Sequence, residues 1–245
     1  MGAVAYYLES EGIATAGISL VRDNTERLQP PRFLWVPFEL GRPFGAPNDP
    51  AFQTKVLRAV LALLERTDGP VILEDFPEDA PAAAGEEMSG WTCPVNLPKP
   101  KASEAPARLA AIRAEIGQLA PWYALAQEHR GRSTFGLCGL EIDAVAEFLH
   151  GFLDGLPGNP KPEISLGESL RLACEDLRSW YLEAATARPG AAAASRALAD
   201  WFWGETAAGA LLLALHPVCR KSPDPGVRHV AASQLVPRIQ QHRLT

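Results

Sequence analysis

Apolar residues in the first third of the chain change period several times. "AVAYYLESEG" places them at helical spacing and stops at Gly12. "IATAGISLV" (Ile13 to Val21) and "RFLWVPF" (Arg32 to Phe38) are short, β-rich runs. "DPAFQTKVLRAVLALLERTDG" then opens on Asp-Pro and carries a stripe of Phe52, Val56, Val60, Leu63 and Leu64. It stops at Gly69, which predicts a helix with both ends marked. "PVILEDFP" reads as a third strand. The order helix–strand–strand–helix–strand predicts an α/β layer, a small sheet with helices packed on it. The layer looks one element short, because a strand is expected before the opening helix.

Residues 77–106 break the periodicity. Six prolines (Pro77, Pro81, Pro94, Pro98, Pro100 and Pro106) rule out a long helix there. Beyond this connector the spacing is helical again. "ARLAAIRAEIGQLAPWYALAQEHRG" predicts a helix kinked or broken at Pro121. "EIDAVAEFLHGFLDG", "SLGESLRLACEDLRSWYLEAATARPG", "ASRALADWFWGETAAGALLLALH" and "DPGVRHVAASQLVPRIQQHR" follow it. "SLGE" at Ser165–Glu168 has capping-box spacing, and His216-Pro217 predicts a helix end. Helices joined by short loops predict an antiparallel bundle. The expected organisation is an α/β part at 1–76, a connector at 77–106 and an α-helical bundle at 107–245, α+β overall.

Charge and composition narrow the classes. The chain has 245 residues and a net charge of −6. All of that excess lies in residues 1–100, with 8 Lys/Arg against 14 Asp/Glu, and "EDFPEDAPAAAGEE" has six acids and no base. A nucleic-acid surface needs the opposite sign. The longest apolar run, "TAAGALLLALHPV", is far shorter than the roughly 20 residues of a membrane span, and the start lacks a basic signal-peptide region. These features predict a cytoplasmic protein with no nucleic-acid or membrane partner. Cys93, Cys138, Cys174 and Cys219 are widely spaced and form no Cys-x-x-Cys pair. No Ser-His-Asp set, P-loop or dinucleotide glycine fingerprint occurs, and no cofactor is called for.

Two stretches carry a family resemblance: "YYLESEGIATAGISLVRDN" and "PPRFLWVPFELGRPFGAPNDPAFQTKVLRAVLALLE". Together they resemble the selenoprotein B component of glycine, sarcosine and betaine reductases. Residues 3–66 share its order of helix, Gly-Ile-(Pro/Ala)-Thr strand entry, Pro-x-x-Leu-Gly-x-Pro loop and Leu/Arg-rich helix. The loop here is Pro37-Phe38-Glu39-Leu40-Gly41-Arg42-Pro43. The "WTCPV" and "DWFWGETAAG" segments resemble bacterial members of the same group. The resemblance implies thiol- or selenol-linked reductive chemistry on a small amine or amino-acid-like substrate. The family's reductases carry a selenocysteine motif just before the helix that opens this chain. Here no Cys precedes Cys93. A native start upstream of Met1, beyond an in-frame selenocysteine codon, would supply both that residue and the missing strand.

The candidate residues each admit a plain structural reading as well. After a strand end, Gly41 permits a turn, Arg42 offers a fork to a carboxylate and Glu39 a partner for an ammonium; otherwise the loop is a rigid turn with solvated charges. Cys93, beside Trp91 and before Pro94, is the candidate thiol, or else a linker anchor; the other cysteines read as core. Glu147-x-x-His150 has the spacing of di-iron bundles, with Glu168, Glu175 and Glu183 as further carboxylates, but no second copy occurs, and no metal site is assigned. Trp201, Phe202 and Trp203 cannot share one helix face. One of them is expected to meet a neighbour other than the bundle core. Trp201 and Trp203 are candidates for a quaternary-ammonium cage or for docking a partner subunit or a second copy.

Overall fold

The computed structural model describes residues 2–81, 86–87, 105–187, 192–193 and 195–244. The chain forms two compact units, Met1–Gly85 and Glu86–Thr245. The fold is α+β, a small parallel sheet with helices followed by a larger helical part.

The first unit opens with helix α1 (Gly2–Ser10) and continues into strand β1 (Gly17–Ser19). Helix α2 (Arg22–Leu28) then leads to β2 (Arg32–Trp35). Helix α3 (Pro50–Ala62) is followed by a 3-10 turn at Leu63–Glu65 and by β3 (Ile72–Asp75). The sheet order is β1-β2-β3, parallel throughout, with Gly17 opposite Phe33 and Arg32 opposite Ile72. β2 is therefore central. The "RDNTERL" segment has no apolar stripe, so its helix is absent from the periodicity; Thr25 is its buried residue.

α3 forms where its signals lie. Asp49 accepts the Phe52 N–H at 3.0 Å, and Pro50 fills the first turn. Phe52, Val56, Val60 and Leu63 are buried, whereas Leu64 is exposed: the tighter 3-10 turn ends the stripe one residue early. Leu34 and Val36 of the β2 segment pack with them. Phe38, Phe52 and Phe76 cap this core, with ring centroids 5.5 to 6.1 Å apart. Each buried aromatic contributes about 2 kcal/mol.

In the second unit a two-residue strand β4 (Glu86–Glu87) pairs in parallel with β5 (Ala192–Ala193). The rest of the predicted connector up to residue 104 lies outside the described residues, apart from 77–81. The helices are α4 (Ala105–Arg130), α5 (Ile142–Gly151), α6 (Leu166–Thr186), α7 (Ser195–Glu205), α8 (Ala207–Arg220) and α9 (Pro225–Ser233), before a 3-10 turn at Arg238–Arg243. The break expected at Pro121 does not occur, since α4 runs through it, and the helix end expected at His216-Pro217 is corrected, since α8 continues to Arg220. Tertiary packing overrides the lost hydrogen bond in each. Side chains cap the ends: Ser165 accepts from Glu168 N–H, Thr206 from Gly209 N–H and Asp224 from Val227 N–H. Glu168 itself pairs with Arg171, so only half of the capping box forms. Gly167 of α6 meets Gly226 of α9 so closely that a Cβ on Gly167 would lie 2.4 Å from the Gly226 carbonyl carbon. Among the described residues no helix is long and apolar enough to cross a membrane.

Candidate functional site

In the α/β unit, the carboxyl ends of the three strands define the place where open parallel sheets bind ligands. The loop from Val36 to Asp49 leaves the central strand there. Its root is fixed by burial of Val36 and Phe38. Its far end is held by Gln53, whose side-chain N–H donates to Ala46 O at 2.8 Å. Between these anchors the chain makes two turns, Arg42 N–H to Glu39 O and Gly45 N–H to Arg42 O, both at 3.0 Å. Gly41 has φ +91°, a left-handed conformation that favours glycine. Glu39, Leu40 and Gly41 are exposed and Arg42 is half-buried. The structure thus brings Glu39, Gly41 and Arg42 together on one anchored turn.

Sequence reasoning missed a second feature of this edge. Arg22, just after β1, donates from Nε to both carboxylate oxygens of Asp75 at the end of β3, at 3.0 and 3.1 Å. It also reaches Glu26 at 2.9 Å. The pair joins the start of α2, three residues past edge strand β1, to the end of β3, the other edge strand. The two residues are 53 apart in sequence, so the only available signal was that each sits at the end of a predicted strand.

The remaining candidates fall elsewhere. Cys93 lies outside the described residues. Trp201 and Trp203 are 2% and 5% exposed, with Phe202 between them at 1%. The expectation that one of the three faces away from the bundle core is corrected, because all three belong to that core. Several neighbours surround α7: α6, α8 and the C-terminal turn, whose Gln240 and Arg243 bond to Asp200. The two tryptophans therefore form no open cage.

The metal reading loses its carboxylates to other partners. Glu147 is exposed and pairs with Arg113, while His150 is buried. Glu168 and Glu175 both hold Arg171, at 2.6 and 2.7 Å. Glu183 accepts from Ser133 Oγ, Thr134 N–H and Thr134 Oγ at 2.7 to 2.8 Å. Among the described residues no group of three or more His, Cys, Asp and Glu is placed to hold a metal ion.

The three described cysteines are buried and unbridged. Burial pushes the Cys138 and Cys219 thiols up to about 11 and Cys174 up to about 12. As thiols they are poor nucleophiles at neutral pH. A cleft of about 420 Å³ opens where α5 and α8 end, lined by Phe152, Leu153, Leu156, Val218, Cys219 and Pro223 among others. None of the assigned site residues lines it. No family model, no curated protein and no solved structure matches the chain.

Proposed function

We propose that the α/β unit binds a small carboxylate-bearing amine. On this reading the protein takes part in thiol- or selenol-linked reduction of the type associated with the selenoprotein B component of glycine, sarcosine and betaine reductases. One observation carries the reading. The loop with the family-like Pro-x-x-Leu-Gly-x-Pro pattern leaves the carboxyl end of the central strand, anchored at both ends, with Glu39 to Gly41 at the surface. The Arg42 guanidinium suits a carboxylate through paired N–H bonds, and Glu39 suits the positive nitrogen. In the reduction the substrate's C–N bond breaks and a C–H bond takes its place, the nitrogen leaving as free ammonia or amine. The two electrons and two protons come from a pair of thiols, or a thiol and a selenol, that close to a disulfide or selenenylsulfide. Cys93 is the thiol assigned here, because burial keeps the described cysteines protonated. The second thiol or selenol comes from a partner protein.

Calorimetric titration with glycine, sarcosine and betaine tests the binding step. Arg42→Ala is expected to weaken binding by about tenfold, the size of one charge-assisted contact. Cys93→Ser should keep binding and lose dithiol-dependent release of the amine. If the wild-type chain binds none of the three, or Arg42→Ala binds them equally well, the reading fails.

A further inference from the structure

Between α7 and α8 the chain turns through a single residue, Thr206. The first-turn amides of α8 need acceptors. Thr206 serves two of them: its hydroxyl accepts from Gly209 N–H at 2.9 Å and its carbonyl from Ala210 N–H at 3.0 Å. The Ala207 and Ala208 amides instead reach Glu115 of α4, more than 90 residues away. Ala207 N–H donates to Oε1 at 2.6 Å and Ala208 N–H to Oε2 at 3.3 Å. Tyr181 of α6 donates its hydroxyl proton to the same Oε2 at 3.0 Å. Glu115 is fully buried. One carboxyl group therefore ties α4, α6 and α8 together.

Its two oxygens are not equivalent. A charged carboxylate only accepts, whereas a protonated one must also donate. Oε1 faces an amide, which can only donate. Oε2 faces the Tyr181 hydroxyl, which can reverse from donor to acceptor. The proton therefore belongs on Oε2, and the bond it weakens is the longer one from Ala208.

We propose that Glu115 is a proton-operated latch on the N-terminus of α8. Charged, it holds both amides and the tyrosine hydroxyl; protonated at Oε2, it donates to Tyr181 Oη and releases the Ala208 amide while keeping Ala207.

The latch works near neutrality. Burial pushes Glu115 up to about 7, against the opposing pull of the Ala207, Tyr181 and Ala208 bonds. The titratable group facing it from α6 is Tyr181, itself raised by burial and by Glu115, with Asp143 of α5 acting on it as well. α8 presents amides, and among the described residues no cation acts on Glu115. The folded value lies above the ordinary 4.5. The stabilisation that Glu115 contributes is thus complete below about 4.5 and is lost as pH rises through about 7.

Amide spectra of the ¹⁵N-labelled full chain, from about pH 5 to about pH 9, test the latch. The Ala207 and Ala208 signals should titrate with one midpoint near 7. On acidification Ala208 should move upfield and exchange severalfold faster, while Ala207 should stay protected. Glu115→Gln should abolish the titration. Tyr181→Phe removes one donor to the charged form and should raise the midpoint by about one pH unit; it carries the test alone if Glu115→Gln does not fold. Amides that stay flat across the range, a titration that survives Glu115→Gln, or an unmoved midpoint in Tyr181→Phe would each overturn the proposal.

Discussion

In the α/β unit, the acid most tied to the fold has a cation for a partner. Glu9 accepts from Arg32 at 2.6 Å, and from the Thr15 N–H and hydroxyl. The Arg32 bond, with the Thr15 bonds, holds it below the usual carboxylate range. Others among the unit's acids pair at the surface, as in Arg22–Asp75, Lys55–Glu78 and Arg66–Glu74. In the helical unit the buried acids take backbone amides and hydroxyls. Asp176, fully buried, accepts from Gly136, Leu137 and Cys138 N–H at 2.8 to 3.0 Å. For Glu183 burial is outweighed by the Thr134 and Ser133 bonds, which lower it; for Glu115 burial wins. The contrast teaches where each unit is vulnerable. Losing a surface partner leaves charges that water can solvate. Losing a buried acceptor leaves several donors orphaned at once.

The largest effect is therefore expected at Asp176. Asp176→Ala removes the acceptor for three consecutive amides, of which Cys138 N–H is buried. The expected cost is about 3 kcal/mol, seen in calorimetry as a clear fall in Tm. Asp176→Asn keeps one acceptor oxygen and should lose about half as much. If Asp176→Ala costs no more than Glu9→Ala, the contrast between the units does not hold.

A second prediction separates crowding from chemistry in the helical unit. Gly167→Ala would drive a Cβ into the Gly226 backbone and should cost about 2 kcal/mol. Gly226→Ala meets its nearest backbone atom at 3.5 Å and Asp224 Oδ1 at 3.2 Å. Its cost should be under about 1 kcal/mol, since alanine also favours the helix. Urea midpoints of the two variants measure the difference. Equal values would mean that α6 and α9 are not in close backbone contact there.

Much of this was legible in the residues themselves. Asp49-Pro50 and the stripe from Phe52 to Leu63 announce α3, and the turn at Gly41 follows from its glycine and flanking prolines. Other features were hidden for physical reasons. α2 has no apolar face to betray it. Pro121 and Pro217 follow a local rule that packing overrides. The three aromatics at 201–203 do point in different directions, as helix geometry demands, but neighbours close on every one of them. Glu183 stands in the sequence as one carboxylate of a stripe with Glu168 and Glu175, and Glu115 and Asp176 give no signal there, because spacing along one helix says nothing of donors arriving from elsewhere. At the candidate site, Arg22 and Asp75 meet only once the strand order is known.

The smallest effect tests the other side of the comparison. Arg22 and Asp75 have side chains 38% and 48% exposed, so water and salt screen the pair. Removing it through Arg22→Ala should cost far less than Asp176→Ala, despite its two bonds at 3.0 and 3.1 Å. The loss should shrink further at high salt, whereas the cost of Asp176→Ala, whose partners are amides, should not. Urea unfolding of both variants at low and high ionic strength reads this directly. A salt-independent loss in Arg22→Ala as large as that of Asp176→Ala would show that the strand-end pair is sheltered from solvent, and that the carboxyl edge of this sheet is held by charge as firmly as the bundle is held by its buried acids.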